Sequence, residues 1–211
     1  INMEEKIKKF FKDKVVLIAG GTGSIGSELA RRLLQYPIKQ LRILSRDEFK
    51  QFNLQNEFQH LPAGKVRFLI GDIRDRDRIF LAMEGVDIVF NAAAMKHVHL
   101  SEDNPFEAVK TNILGSQNVI EAALNKNVDK VILISSDKAV QPINLYGATK
   151  LAAERLFIAG NVYSGDVKKT KFSVVRYGNV IGSRGSLIEM IEKQKHTVNL
   201  NNPRPQSLWF F

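Results

Sequence analysis

The chain has 211 residues, of which 31 are Lys or Arg and 22 are Asp or Glu, and it contains no cysteine. The absence of cysteine excludes a disulfide framework, a thiolate zinc site, an iron–sulfur cluster and a cysteine nucleophile. The longest apolar runs have the length of a strand and fall far short of the ~20 residues that a membrane-spanning helix needs. We therefore expect a cytoplasmic protein without a membrane span, containing one large domain or one domain and part of another.

The formal net charge of +9 is compatible with nucleic acid, an anionic membrane or small anions as partners. The basic residues are scattered in short pairs, such as Lys8 with Lys9 and Arg31 with Arg32, and no basic stripe is interleaved with aromatic residues. This distribution argues against nucleic-acid binding. It favours cations that contact the phosphates of small molecules.

Short apolar runs alternate with helical patterns along the chain. The runs are typical of strands covered on both faces, as in a parallel sheet. They cover residues 15–19, 41–44, 66–70, 88–91, 131–135 and 172–176, and helical patterns cover residues 27–35, 105–125 and 144–159. The alternation predicts an α/β fold with a doubly wound parallel sheet, the Rossmann fold, whose ligands bind at the carboxyl ends of the strands.

A glycine-rich turn directly follows the first predicted strand and opens a helix. Glycine there permits a tight turn and a close approach of the backbone to a diphosphate, which the N–H groups of the helix start attract. The pattern predicts that a dinucleotide binds to Gly20, Thr22, Gly23, Ser24, Ile25 and Gly26.

Polar residues at the ends of the next two strands complete the predicted dinucleotide site. Ser45, Arg46 and Asp47, with Lys50 after them, stand where the adenosine ribose is bound. An acid in this place favours a free 2′-hydroxyl, whereas Arg beside Ser binds a 2′-phosphate. The cluster therefore favours NADP(H) over NAD(H). Asp72 and Ile73 follow the third strand, where we expect them to hold the adenine.

A second constellation follows the fifth strand. Tyr146 and Lys150 are four residues apart on a predicted helix, so they share a face, and we expect the ammonium to lower the phenol's pKa from about 10 towards neutrality. Such a tyrosine takes the proton of a sugar hydroxyl while hydride leaves the same carbon. Ser136 is placed to orient that hydroxyl.

With these motifs the chain resembles the extended short-chain dehydrogenase/reductase family, and within it the inverting UDP-N-acetylglucosamine 4,6-dehydratases of polysaccharide biosynthesis. The matching stretches are residues 20–26, 45–48, 71–75, 92–98, 136–139, 142–150 and 176–186. Asp137 with Lys138 is the most discriminating feature, because epimerases of the superfamily lack the pair and the dTDP-glucose dehydratases carry Asp-Glu.

The resemblance implies an NADP-dependent reaction in four steps: oxidation at C4, loss of the C5 proton, departure of the C6 hydroxyl, and return of hydride to C6. By the family pattern Lys138 is the base at C5 and Asp137 assists the departure at C6. The expected product is a 4-keto-6-deoxy UDP-sugar, inverted at C5, for surface-glycan or flagellin sugars. A sugar C4-epimerase and a dinucleotide-binding module without catalysis remain the alternatives.

The resemblance also implies further contacts and an organisation of the chain. The remaining coenzyme contacts are Ala92, Lys96, Ser135, Tyr146, Lys150 and Val180, and the substrate contacts are Lys96, Asn179 and Arg184. No metal is expected. Residues 1–14 are predicted to be an N-terminal extension, 15–178 the NADP-binding domain, and 179–211 the start of a truncated substrate domain. The helices at 105–125 and 144–159 are expected to pair in a homo-oligomer.

Overall fold

The structure is a computed structural model, and it describes residues 2–164, 170–178 and 180. The chain divides into two compact units, residues 1–178 and residues 179–211. Val180 is the part of the second unit that the structure describes. Among the described residues, no helix is both long enough and apolar enough to cross a bilayer.

The first unit is built on a parallel sheet. Its strands are β1 (Val15–Ala19), β2 (Gln40–Ser45), β3 (Val66–Ile70), β4 (Ile88–Asn91), β5 (Lys130–Ile134) and β6 (Lys171–Val175). They lie in the order β3-β2-β1-β4-β5-β6, and all neighbours are parallel. The predicted doubly wound sheet is confirmed. The predicted bounds of β2, β5 and β6 differ from the observed ones by one residue at both ends.

The strand order reverses at β1, which pairs with β2 on one side and with β4 on the other. Ala19, the last residue of β1, pairs with Leu44 and with Asn91. The chain leaves β1 and β4 towards opposite faces of the sheet, so a crevice opens between the loops that follow these two strands. This topology places the predicted glycine turn at the crevice.

The helices cover both faces of the sheet. They are α1 (Met3–Phe11), α2 (Ser24–Leu33), α3 (Glu48–Glu57), α4 (Arg76–Ala82), α5 (Val98–Asp103), α6 (Pro105–Val109), α7 (Gly115–Asn125) and α8 (Leu145–Ser164). Three helical patterns were expected, and each contains a helix. The pattern at 105–125 is not continuous, however, because a π-helical turn, Lys110–Leu114, separates α6 from α7.

Four helices were not predicted, and each buries two residues or fewer. α1, inside the predicted N-terminal extension, buries no residue, α3 buries only Gln51 and Leu54, and α4 and α5 have seven and six residues. A helical period cannot be read from so few buried positions.

Apolar side chains form a separate core on each face of the sheet. Along β1, Leu17 and Ala19 belong to one cluster, and Val16 and Ile18 belong to the other. Phe157 of α8 packs on the first face against Phe172, with ring centroids 5.9 Å apart. Fully burying such a side chain is worth about 1.5–3 kcal/mol. The core therefore holds α8, which carries the predicted catalytic tyrosine and lysine, firmly on the sheet.

Candidate active site

The turn after β1 is held by backbone atoms in close approach. Gly20 has φ +78°, and a Cβ on it would lie 2.6 Å from the backbone nitrogen of Ala93. A Cβ on Gly26 would lie 2.3 Å from the Gly20 oxygen. Both contacts are far too short for a side chain, so only glycine fits. The first turn of α2 therefore opens directly at the crevice, as the binding of a diphosphate requires.

The other turn residues lie where the sequence predicts them. Thr22 is buried, and Ser24 and Ile25 are half-buried in the first turn of α2. This helix begins at Ser24, three residues earlier than its apolar pattern indicates. Across the crevice the Ala92 amide donates to the Ala19 oxygen at 2.8 Å, which places Ala92 beside the turn.

The polar residues at the end of β2 surround the start of α3. Asp47 caps this helix by accepting from the Lys50 amide at 2.9 Å, and it also forms an ion pair with the Lys50 ammonium. Ser45 is buried, and its hydroxyl accepts from the Gln51 amide group at 3.1 Å. The guanidinium of Arg46 remains largely exposed. Asp47 is thus paired with Lys50, while the Arg46 guanidinium faces solvent.

Asp72, after β3, is held by two arginines. It accepts from the Arg74 amide at 2.9 Å and from Arg74 Nε at 2.8 Å, and Nη1 of Arg46 lies 3.4 Å from its Oδ2. Burial raises the pKa of Asp72, but these partners outweigh it and lower the pKa overall. Its neighbour Ile73 is buried against Gly115, where an added Cβ would lie 2.6 Å away. The Ile73 side chain thus belongs to the core.

Past the end of β5, a short 3₁₀ turn, Asp137–Ala139, carries Asp137 and Lys138, the pair on which the resemblance mainly depends. Ser136 Oγ donates to Asp137 Oδ1 at 2.9 Å. The same oxygen accepts from the Lys138 amide at 2.9 Å, and Lys138 Nζ lies 3.4 Å from it. Burial raises the pKa of Asp137, but the Ser136 hydrogen bond and the Lys138 charge lower it overall. Asp137 is therefore a carboxylate paired with Lys138.

The first turn of α8 packs directly on this 3₁₀ turn. A Cβ on Gly147 would lie 2.2 Å from the Lys138 oxygen, so a larger residue would push the two apart. Asn144 Oδ1 accepts from the Gly147 amide at 2.8 Å, and Glu102 accepts from the Leu145 amide at 2.7 Å. These caps satisfy N–H groups that a helix start otherwise leaves unpaired. The packing brings Tyr146 next to Ser136.

Tyr146 and Lys150 are both buried on α8. A side-chain hydrogen bond with Ser136 acts on Tyr146, so the two predicted site residues are neighbours. Lys150 Nζ donates to the Ile134 oxygen at 2.7 Å. Burial raises the pKa of Tyr146, and the Ser136 bond lowers it only in part. The expectation that Lys150 draws this pKa towards neutrality is wrong for this arrangement, because desolvation dominates and the ammonium is directed to a carbonyl.

Burial acts on Lys150 even more strongly than on Tyr146. The residue is 3% exposed, and burial lowers its pKa to about 8, while the charge of Glu154 acts in the opposite direction. A lysine in this state loses its charge within the working range of many enzymes. The groups packed around Lys150 thus determine whether its side chain is charged.

Asn112 is a site residue that the sequence did not indicate. It is buried on the π-helical turn, where it accepts from the Met95 amide at 2.9 Å and donates to the Met95 oxygen at 3.0 Å. It also donates to Thr149 Oγ1 at 2.9 Å. Asn112 therefore joins the loop after β4 to α8. Turns of this kind often mark functional sites, but nothing in the apolar period reveals one.

Tyr177 lies in the stretch 176–186, and the sequence assigns it no role. Its backbone oxygen accepts from the Asp137 amide at 2.9 Å. Burial raises the pKa of its phenol, and the charge of Asp137 adds to the effect. Tyr177 therefore lies beside Asp137.

The structure describes only some of the remaining predicted contacts. Ser135 is buried beyond β5, with its amide donating to the Val175 oxygen at 2.8 Å, and Lys96 is exposed on the loop after β4. Asn179 and Arg184 lie outside the described residues, and Val180 belongs to the second unit. The part of the chain that the structure describes holds no group of three or more His, Cys, Asp or Glu side chains arranged for a metal ion.

Comparison with known proteins identifies a family. Residues 16–201 match the family described as polysaccharide biosynthesis protein. This range includes every stretch on which the resemblance rests.

Curated relatives match most of the chain. An uncharacterized membrane protein of Methanocaldococcus jannaschii is 53% identical over 91% of this chain and 56% of its own length. An inverting UDP-N-acetylglucosamine 4,6-dehydratase of Campylobacter jejuni is 50% identical over 87% of this chain and 54% of its own. A UDP-glucose 4-epimerase of Rickettsia typhi is 46% identical, with the same shares of the two chains. The chain thus spans about half the length of the curated relatives it matches.

Solved structures share the fold. Pen from Bacillus thuringiensis superposes with a TM-score of 0.86 at 53% identity, covering 90% of this chain and 59% of that one. MoeE5 in complex with UDP-glucose and NAD superposes with a TM-score of 0.62 at 26% identity, covering 76% and 52%. The second structure holds a nicotinamide dinucleotide together with a nucleotide sugar.

Proposed function

Because the chain belongs to the family of polysaccharide biosynthesis proteins, whose relatives include enzymes that modify nucleotide sugars, we propose that it catalyses the 4,6-dehydration of UDP-N-acetylglucosamine, with inversion at C5. The observation that carries this proposal is the ion pair of Asp137 and Lys138, joined through Ser136 to the buried Tyr146. The product would be a 4-keto-6-deoxy UDP-sugar for surface glycans or flagellin.

The glycine turn provides a cradle for the coenzyme that the proposal requires. At Gly20 and Gly26 a Cβ would collide with backbone atoms, and the first turn of α2 presents its N–H groups there. A nicotinamide dinucleotide, when bound, accepts hydride and returns it. NADP(H) is the proposed form, because Arg46 is exposed and Asp47 is paired with Lys50, so the cluster presents a cation for a 2′-phosphate.

The C4 step falls to Tyr146 with Ser136. The two residues are neighbours, which supports the proposal that Ser136 orients the sugar C4 hydroxyl and that Tyr146 accepts its proton. In the structure desolvation raises the pKa of Tyr146. The phenol therefore keeps its proton unless the charges around it change. The Lys150 ammonium donates to the Ile134 oxygen rather than to Tyr146, and its proposed role is to supply a positive charge at the coenzyme.

The elimination step falls to Asp137 and Lys138. For Lys138 to act as the base, its ammonium first passes a proton to Asp137 over the 3.4 Å between Nζ and Oδ1. The neutral amine then takes the C5 proton that the C4 ketone acidifies, and the Asp137 carboxylic acid gives its proton to the C6 oxygen that leaves as water, which restores the ion pair. The proton balance of the dehydration then closes within the pair.

Lys138→Ala tests the assignment. We expect the variant to bind NADP(H) as the wild type does and to form no 4-keto-6-deoxy sugar, which NMR detects as a new C6 methyl signal. Lys110→Ala, which removes an exposed lysine paired with Glu107, is the matched control and should keep the wild-type product. Product formation by Lys138→Ala would refute the proposal.

A C4-epimerase is the second candidate, because UDP-glucose 4-epimerases of Rickettsia species are 46–48% identical to the chain. The same NMR assay separates the two reactions. An epimerase keeps the C6 hydroxyl and inverts C4, whereas a dehydratase loses that hydroxyl. Retention of the C6 hydroxyl with inversion at C4 would replace the first proposal by the second.

The chain could also act without catalysis, as a dinucleotide-binding module. Calorimetry with NADP(H) and then with UDP-N-acetylglucosamine distinguishes this role from an enzyme. We expect both ligands to bind, and a module would bind only the first. Under our proposal residues 15–178 bind the coenzyme, and residues 179–211, with Asn179 and Arg184, belong to the substrate domain of a cytoplasmic enzyme.

We also propose a homo-oligomer in which α8 contributes to the interface. Ile158 and Val162 are 55% and 79% exposed one helical turn apart, and Leu114 of the neighbouring π-helical turn is 47% exposed. Such apolar stripes on a surface mark interaction sites. Val162→Glu should lower the oligomer mass measured by light scattering, and an unchanged mass would exclude this face.

A further inference from the structure

Glu154 is a buried acid that the proposed reaction does not use. It lies on α8 one turn after Lys150, and its side chain is 5% exposed. Every other carboxylate in an ion pair among residues 2–164 and 170–178 is at least 20% exposed, Asp72 being the next most buried. Burying a charge is costly unless it is paired and hydrogen-bonded. The position of Glu154 beside the catalytic helix face therefore needs a reason.

Arg176 keeps Glu154 ionised. Its Nε donates to one carboxylate oxygen at 2.9 Å, and its Nη2 donates to the other at 2.6 Å. This bidentate geometry is the strongest form of a charge-assisted pair. It lowers the pKa of Glu154 more than burial raises it. Arg176 directly follows β6, so the pair also joins that strand to α8.

Glu154 and Lys150 interact through space and do not share a hydrogen bond. Lys150 Nζ donates to the Ile134 oxygen at 2.7 Å, and both oxygens of Glu154 are occupied by Arg176. Residues four apart on a helix are nevertheless neighbours, and the low dielectric of the interior strengthens the attraction between their charges.

We infer that Glu154 is a positioning residue that keeps the buried Lys150 ammonium charged at the active site, and that Arg176 holds Glu154 in the ionised form this role requires. The consequence for turnover rests on the proposed function. The effect on Lys150 itself does not depend on the substrate.

The electrostatics of the site agree with this inference. Burial lowers the pKa of Lys150 to about 8, and the charge of Glu154 is what opposes it. Other ionisable groups lie on the elements packed against α8 and around its start. They are His99, Glu102 and Asp103 of α5, Glu107 of α6, Lys110 of the π-helical turn, Glu121 of α7, Asp137 and Lys138 of the 3₁₀ turn, Lys171 of β6, and Tyr177. None of them contributes to the shift of the Lys150 pKa.

Titration of Lys150 by NMR tests the inference. The protein is labelled with ¹³C at the lysine ε-carbons, and the Lys150 signal is assigned by its loss in Lys150→Arg. We expect Glu154→Gln to lower the Lys150 pKa by about one unit, which is a tenfold change in its protonation equilibrium. Glu107→Gln, which removes an exposed carboxylate from α6, is the matched control and should leave the Lys150 titration unchanged.

A purely structural clamp between β6 and α8 predicts a different result. Glu154→Gln would then reduce the unfolding free energy while the Lys150 pKa kept its wild-type value, and that outcome overturns the inference. If Glu154→Gln fails to fold, Glu154→Asp replaces it, since Asp keeps the charge but withdraws it by one methylene. A fall of the Lys150 pKa smaller than one unit supports the inference in that variant, and no fall overturns it.

Turnover provides the second measurement. With Lys150 deprotonating earlier, the alkaline limb of kcat for UDP-N-acetylglucosamine should move to lower pH in Glu154→Gln by the shift that NMR finds, with KM little changed. Failure of the proposed function is recognised separately, because it appears as a missing product in the wild type while the NMR titration of Lys150 still responds to Glu154.

Discussion

The glycine turn after β1 and the corner where β5 meets α8 are held together by different forces. In the turn the constraint is steric, since a Cβ on Gly26 would lie 2.3 Å from the Gly20 oxygen. At the corner the constraint is polar, since Lys150 and Glu154 are nearly inaccessible and each is held by directed hydrogen bonds. A substitution in the turn therefore disturbs packing, whereas a substitution at the corner disturbs hydrogen bonds and charges.

This difference predicts two kinds of response. A substitution in the turn should change shape and coenzyme binding at every pH, because no titrating group takes part. A substitution at the corner should change the dependence on pH, because buried ionisable groups shift their protonation with their surroundings. Three experiments test this contrast, in order of decreasing effect.

Gly26→Ala should have the largest effect. The added methyl collides with backbone atoms that cannot move aside, and overpacking of this kind costs about 3 kcal/mol. We expect that loss of unfolding free energy in urea at both pH 6 and pH 9, together with at least a tenfold loss of NADP(H) affinity by calorimetry. Gly64→Ala, with φ +79° and no atom within 4 Å, is the control and should cost about 1 kcal/mol with coenzyme binding retained. Wild-type NADP(H) affinity in Gly26→Ala would show that the turn is not sterically constrained.

Lys150→Met should reveal the pH dependence of the corner. Burial lowers the Lys150 pKa from 10.5 to about 8, so between these values the unfolded chain binds more protons than the folded one, and stability rises with pH. Below pH 8 both states are protonated and the penalty is fully present.

The measurement is urea unfolding of wild type and Lys150→Met at pH 7.5 and pH 10. The difference between their unfolding free energies should change by about 2 kcal/mol in favour of the wild type over this range. Lys126→Met removes a lysine of a surface ion pair and should show no such change. An equal pH dependence of wild type and Lys150→Met would mean that Lys150 titrates normally.

Arg46→Ala should have the smallest effect, because the side chain is 61% exposed. If Arg46 binds a 2′-phosphate, calorimetry should find NADP(H) affinity reduced about tenfold, as expected for one charge-assisted contact of about 1.5 kcal/mol, with NAD(H) affinity unchanged. Arg32→Ala, a surface arginine paired with Glu28, should alter neither. Equal losses for both coenzymes would assign Arg46 a general role and remove the argument for NADP(H).

The sequence was informative wherever a local pattern has a local cause. Runs of branched apolar residues predicted β1 and β3 to the residue, since strands covered on both faces need them. The glycine spacing and the pairs Asp137–Lys138 and Tyr146–Lys150 carried the resemblance, which the family match and the 50% identical dehydratase confirm. The roles given to individual site residues, and the domain bounds, stay predictions.

The sequence was uninformative where the cause lies far along the chain. Asn112 gains its role from Met95 and Thr149, and Tyr177 reaches Asp137 through its backbone. In the sequence Glu154 looks like any other acid on a helix. Only the folded structure places Arg176, at the end of β6, beside it. No periodicity or spacing marks such partners, because they meet only after the sheet has assembled.

The sequence by itself determined the family, the strands of the parallel sheet, and the residue types that the chemistry requires, because those depend on neighbours a few positions away. Only the tertiary structure decided how these groups are charged. Burial raises the pKa of Tyr146 and lowers that of Lys150, against the simple expectation from a tyrosine and a lysine one turn apart. The physical reason is that desolvation depends on everything packed around a group, and here it exceeds the opposing effects of Ser136 on Tyr146 and of Glu154 on Lys150.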